Sequence, residues 1–482
     1  MNGIWIVLGT ALVFALLGVW YSWKSKINLE SFLVARKSTR FWANTLTIVA
    51  SAMGGWILFS PAESTILDGI VALLGYALGS AAAIWVFAWL GMRLRRAMPK
   101  GSTLNEFVLH RYGKGMYLFV LAVTVLYMGV FLAAEMTGIS LAAQLAFGVP
   151  LGATALIIGL GTLAYVVIGG LKASIFTDLV QSWVILPCLA IVFVASLVFA
   201  GGAAAVLDKT ELLAPNILDW SSGWGTALVL VIAIVGANLF HHGYWQRVFT
   251  AKSEKVMKRS YLVAGWIVVP MILLVGAFGL FSIASGVDTS PSIALFSFIV
   301  SRTPFWLVVT TMILAVALVM SSVDTLLNGL VSLFTIDLFR IKPNVDRKKM
   351  LRMAQLFTLV IGGLSILVAQ QALSVLYLFL IADLVCVAVA FPAFYGLYEK
   401  RFSGGAAVLA SIFGLAAGAA FFPTPDFGAS VTSLLGIPLP GSLLWSFVLA
   451  TIVPIGVSLI LRALSKREPF DFKKLRKEGV EL

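Results

Sequence analysis

The chain has 482 residues, is 60% hydrophobic and 11% charged, and carries a formal net charge of +13. Its repeated apolar runs of about twenty residues match the ~30 Å of hydrocarbon that a helix must cross, and a soluble domain could not keep so many of them out of water. The composition therefore excludes a soluble protein and specifies an all-α polytopic membrane protein with the lipid bilayer as its surroundings.

The first run, residues 3–22, is long for a signal-peptide core, lacks a basic leader and has no small-x-small cleavage site, so it reads as a retained helix. Further helices are predicted at 41–67, 69–97, 115–147, 151–171, 174–201, 224–244, 260–286, 304–333, 352–371, 373–398, 404–422 and 440–463, thirteen in all. With the N-terminus outside and the C-terminus cytoplasmic, the inside segments hold 32 of the 34 Lys and Arg, leaving Lys209 and Arg302 outside. That is the positive-inside asymmetry of a multi-pass protein of the plasma membrane. The basic charge is topology, and no nucleic-acid partner is expected.

Cys188 and Cys386 both lie in apolar runs and read as packing residues. No segment reads as a separate soluble domain, so 1–482 is one transmembrane domain whose basic tail, 464–482, is predicted to face water or lipid headgroups.

Two predicted helices are irregular. "SAMGGWILFSPAES" (51–64) carries Gly54-Gly55 and Pro61 in mid-span, and "IVGANLFHHGYW" (234–245) carries Gly236, Asn238 and Gly243. Interrupted backbone at membrane depth is tolerated only where it is buried in protein or lines a cavity. Paired interruptions in corresponding positions point to a transporter with inverted repeats, with 41–201 as one half and 224–398 as the other. Close packing at glycine is the bland alternative.

Ionisable groups inside a span cost ~2.5 kcal/mol or more at the centre and are functional candidates by default. Here they are Glu63, Glu135, Asp178, His241, His242, Asp324 and Asp383. On the helix 304–333, Ser321, Ser322, Asp324, Thr325 and Asn328 recur at helical spacing as an oxygen-rich stripe. Hard cations take such ligands together with carbonyls of an unwound helix. The competing fate of a membrane hydroxyl is back-bonding to its own helix. A zinc site has no cysteine pair to support it and only His110 beyond the two histidines named.

"VARKSTRFW…TIVASAMGGW", "TLNEFVLHRYG" (103–113), "GGLKASIFTDLVQ" (169–181) and "MSSVDTLLNG" (320–329) stand in an order and spacing that resemble the sodium/solute symporter family, which includes sodium/proline and sodium/galactose symporters. The similarity covers nearly the whole chain. It implies a LeuT-type 5+5 inverted repeat preceded by one extra N-terminal helix and followed by two C-terminal helices (404–463). It also implies sodium as the coupling ion, bound by carbonyls of Ala50, Met53 and Leu318 and hydroxyls of Ser321 and Ser322. A second cation site would draw on Asp178, Asp324 and Thr325. Ala52 departs from the proline symporters, which carry an aspartate there.

By the same resemblance, the solute sits between the broken helices near Trp56, Tyr127, Glu135, Asn238 and His242. Ile234, Asn238 and His242 replace the aromatic and proline positions of the proline symporters, so proline is not the expected solute. Two readings stand for Glu135: it faces a cationic or amide-rich solute, or it is a structural acid between helices.

The expected activity is sodium-coupled symport of a small polar organic solute by alternating access. The alternatives are proton-coupled or sodium-independent transport of urea, an amine or an amino acid. A membrane-embedded enzyme should show paired acids or a histidine cluster at a metal, and a sensor a long cytoplasmic domain; the sequence offers neither.

Overall fold

The computed structural model describes residues 2–101, 103–287, 290–341, 346–368, 375–424 and 428–476. The boundary between the predicted helices 352–371 and 373–398, and the end of the tail at 477–482, lie outside the described residues.

In chain order the α-helices are α1 (Asn2–Lys24), α2 (Leu29–Leu33), α3 (Phe41–Ala52), α4 (Ser60–Ala97), α5 (Leu104–Tyr112), α6 (Lys114–Phe147), α7 (Leu151–Phe199), α8 (Ala203–Leu213), α9 (Trp224–Asn238), α10 (His242–Thr250), α11 (Glu254–Ala284), α12 (Ala294–Arg302), α13 (Phe305–Ile341), α14 (Arg347–Val368), α15 (Val375–Tyr395), α16 (Gly404–Phe421) and α17 (Leu443–Leu464). Among the described residues ten are long and apolar enough to cross a membrane, and the bent pair α9 and α10 makes an eleventh. Exposed Leu12, Leu160, Trp183 and Trp266 on their outer faces are what lipid requires.

That count differs from the thirteen expected. The predicted helices 151–171 and 174–201 join end to end in α7, 49 residues long, as two helical arms that meet at a kink at Gly170, where φ is 53°. The kink falls at the predicted boundary between the two helices, with no loop between the arms. The predicted 41–67 divides at its break: α3 ends at Ala52, a 3₁₀ turn follows over Gly55–Leu58, and α4 begins at Ser60 and kinks at Gly69. Pro61 opens the new helix, where its missing N–H costs nothing. The second break, between α9 and α10, bends the chain by 60°.

α13 is the most enclosed span, with 78% of its apolar window buried against 28% for α1. It packs on α7 and α6, while α4 lies along α11 and α9, and α15 lies against α6 and α9. The turn in the first break lies against α13 and α6, and α10, beyond the second break, also packs on α13.

Most of the described tail is exposed, as a solvated segment would be, but part of it docks on the protein. Leu475 is buried, Phe470 lies under the Arg111 guanidinium at 4.7 Å, and Phe470 N–H donates to the Lys400 carbonyl at 3.0 Å. Arg111 also donates to the carbonyls of Gly396, Glu399 and Phe402 just beyond α15, at 2.9, 2.5 and 3.0 Å. A cation there suits the carbonyl end of a helix.

Candidate functional site

The break after α3 lies against α13. A Cβ on Gly55 would fall 2.3 Å from Val319 Cγ2, and Ser51 Oγ lies 3.1 Å from Thr325 Oγ1. Ser321 and Ser322 lie between those two contacts, beside the open end of α3. Met53 N–H closes the last helical bond, to the Val49 carbonyl at 2.9 Å, leaving Ala50 and Met53 in the final turn, where carbonyls lack intrahelical donors.

Gly55 N–H donates across the gap to Glu135 Oε2 on α6, at 2.6 Å. Ser322 Oγ donates to the same carboxylate oxygen at 2.9 Å and approaches the Leu318 carbonyl at 3.2 Å. Ser321 Oγ donates to Asp178 Oδ1 at 2.6 Å. Each serine thus gives its proton to a different buried acid and keeps its lone pairs for another partner. Glu135 Oε1 is buried without a hydrogen-bond partner. It sits 2.0 Å from where a Gly54 Cβ would be, so only glycine leaves the carboxylate room. Of the two readings of Glu135, its hydrogen bonds match the acid between helices: it bridges the break and α13.

A second buried polar cluster adjoins the first. Asp178 on α7 accepts from Thr47 Oγ1 on α3 and from Arg247 Nη2 on α10, the latter at 2.8 Å. Arg247 Nη2 also donates to Thr325 Oγ1 at 2.9 Å, and Thr325 passes a bond to Asp324 Oδ1 at 3.3 Å. Asp324 further accepts from three hydroxyls of α7: Tyr165 at 2.7 Å, Ser174 at 2.6 Å and Thr177 at 3.0 Å. Asp178, Asp324 and Thr325 do come together, and the cation among them is a guanidinium of the chain itself. Asn328, the last of the stripe, back-bonds to the Asp324 carbonyl at 2.8 Å.

Beside the break is a small cavity of about 40 Å³. Trp56, Tyr127 and Asn238 line it together with Tyr76, Phe131, Ile234, Phe379 and Asp383. Asn238 turns its amide N–H to the Ile234 carbonyl at 2.8 Å, which leaves its Oδ1 as an acceptor. His242 does not line the cavity; it is buried against Gly329 of α13. Its neighbour His241 borders the cavity wall instead, with its ring 5.4 Å from Phe131 and 6.2 Å from Tyr127.

Residues 32–414 match the model of the sodium:solute symporter family. The chain belongs to that family. It is a secondary active transporter that couples a small solute to sodium across the membrane. The symporter is 29% identical over 389 residues to the spermidine transporter DUR31 of Candida albicans, covering 80% of this chain and 73% of the relative. It is 25% identical to the urea active transporter of Saccharomyces cerevisiae, over 85% of this chain but only 61% of that protein. A solved sodium-coupled sialic acid symporter, caught substrate-bound and outward-open, superposes with a TM-score of 0.79 at 18% identity over 98% of this chain and 99% of its own. The expected LeuT-type fold is thereby borne out.

One residue of the symporter has no role in the sequence reading, and another is a candidate there without a setting. Arg247 falls in a basic segment and counts there as topology, yet it is fully buried; its only signal is its place four residues after Gly243 in a broken helix. Asp383 stands out as a carboxylate in a span, but nothing local ties it to the aromatic residues of the cavity.

Proposed function

We propose that the symporter imports a small polar organic solute with one sodium ion per cycle, holding the ion where α13 crosses the end of α3. The observation that carries this is the pair Ser321 and Ser322, each donating to a different buried carboxylate beside an interrupted helix. The carbonyls of Ala50, Met53 and Leu318 with the two hydroxyls make an all-oxygen set suited to a hard cation. Glu135 supplies from α6 the negative charge that Ala52 does not.

Asp178, Asp324 and Thr325 form a second place for a cation, and in our reading Arg247 fills it permanently, so one sodium moves and not two. The solute binds in the aromatic cavity with Trp56, Tyr127 and Asn238. Spermidine and urea, the solutes in the relatives' names, make a small nitrogenous compound the leading class.

Sodium bridging α3 to α13 and solute resting on Trp56, next to Gly55, both favour one arrangement of the same break. Two ligands that stabilise one state raise each other's affinity, which is the thermodynamic content of coupling.

The topology fits this scheme. A 49-residue helix is about 74 Å long at 1.5 Å per residue, more than twice the hydrocarbon thickness, so α7 crosses, turns at Gly170 and crosses back. Counting its two arms, and those of α4 with its preceding break, gives thirteen crossings, with halves at 41–201 and 224–398, the N-terminus outside and the tail cytoplasmic.

Replacing both serines, Ser321→Ala with Ser322→Ala, should abolish sodium-stimulated uptake in proteoliposomes while leaving the protein folded. Accumulation against a gradient in sodium-free buffer, rising as the outside is acidified, would transfer the coupling to protons.

A further inference from the structure

We propose that the cavity selects a small organic cation, an alkylammonium, and that Asp383 is the residue that reads its charge; this rests on the symport reading for the direction of transport but not for the chemistry of binding.

Asp383 on α15 is 7% exposed and faces the cavity. Among the described residues its carboxylate accepts no hydrogen bond, and no lysine, arginine or histidine lines the cavity with it. A carboxylate held out of water without a partner is costly. A neutral solute leaves that cost in place, whereas an ammonium group removes it.

The surrounding walls suit the same ligand. Trp56 and Tyr76 lie nearly parallel, 18° apart with centroids at 5.7 Å, and Phe379 meets both Trp56 and Phe131 edge-on at 6.4 and 4.9 Å. Aromatic faces around a desolvated cation supply cation–π attraction. They offer little to a sugar, which needs many directional polar partners; Asn238 Oδ1 is the main acceptor besides Asp383.

The test is thermal shift on the full-length protein in detergent with putrescine, spermidine and urea, each with and without sodium. Putrescine or spermidine should stabilise the parent protein. Asp383→Asn should raise the amine concentration for half-maximal stabilisation roughly tenfold or more, while the shift produced by sodium alone stays as in the parent. Asp383→Glu, which keeps the charge, should retain part of the amine effect and so controls for folding.

Urea stabilising the parent where the amines do not, or Asp383→Asn binding amines as tightly as the parent, would overturn the proposal. Amine binding without any sodium shift in the parent would refute the sodium reading and leave this one standing.

Discussion

Arg247 and Asp178 form an ion pair at 2.8 Å in which both side chains are fully buried. The attraction is bought at the cost of desolvating two charges, so the pair is worth little net, but removing one partner leaves the other stranded. Arg247→Met should lower unfolding stability by about 3 to 5 kcal/mol. Adding Asp178→Asn should recover much of the loss, because the amide still accepts from Ser321. Denaturation of the single and double variants in one detergent checks this; equal stability of Arg247→Met and parent would mean that the charge is compensated elsewhere.

With a guanidinium in the second cation place, uptake should depend on sodium with a Hill coefficient near one. Initial rates over a sodium series at saturating solute measure it. A coefficient near two would require a second sodium alongside Arg247.

Glu135 ties the broken helix to α13 through Gly55 N–H and Ser322. Glu135→Gln keeps an acceptor for that amide but removes the charge. The sodium concentration for half-maximal thermal stabilisation should rise roughly tenfold, as loss of a close charge partner implies. Gly54→Ala should do the same indirectly, since its Cβ would fall 2.0 Å from Glu135 Oε1.

Asp324 should behave differently, because three hydroxyls of α7 already donate to it. In Asp324→Asn an amide N–H faces donors it cannot accept from, a mismatch costing about 1 to 3 kcal/mol. Melting temperature should fall while the sodium midpoint stays unchanged. A shifted midpoint with parental stability would instead make Asp324 a direct cation ligand.

Gly170 and Gly202 separate backbone strain from crowding. Both have positive φ, 53° and 90°, but a Cβ on Gly170 would lie 2.6 Å from the Phe32 ring and backbone, whereas nothing approaches one on Gly202 within 4 Å. Gly202→Ala should cost only the strain, about 1 kcal/mol. Gly170→Ala should cost distinctly more, and comparison of the two melting temperatures reads the difference.

What could be read in the sequence was what depends on near neighbours. Gly54-Gly55 marks a break because glycine weakens a helix wherever it stands, and Ser321, Ser322, Asp324 and Thr325 share a region because helical spacing puts them there. Even so, Pro61 was misjudged: it starts a helix and does not disrupt one, a distinction that needs the preceding 3₁₀ turn. Glu135 and Gly55 are eighty positions apart, and the burial of Arg247 follows from the 60° bend before α10, so neither relationship has a local signature. Asp383 acquires its setting only when residues from α4, α6, α9 and α15 and the turn after α3 converge, which no periodicity encodes.

α1 has so far stood aside from the chemistry. A Cβ on Gly18 would strike the Tyr165 ring at 2.6 Å, and one on Gly169 would strike Ser22 Oγ at 2.2 Å. The helix outside the repeats is therefore pressed onto the stretch of α7 that holds Tyr165 over Asp324. Were α1 peeled away, every residue named for ion and solute would remain in the chain, yet the phenol that steadies a central acid would be left facing fatty acyl tails. The helix α1 thus acts as the back wall of the Asp324 cluster, and a mild packing fault at Gly18 would be felt in the hydroxyls that hold that acid.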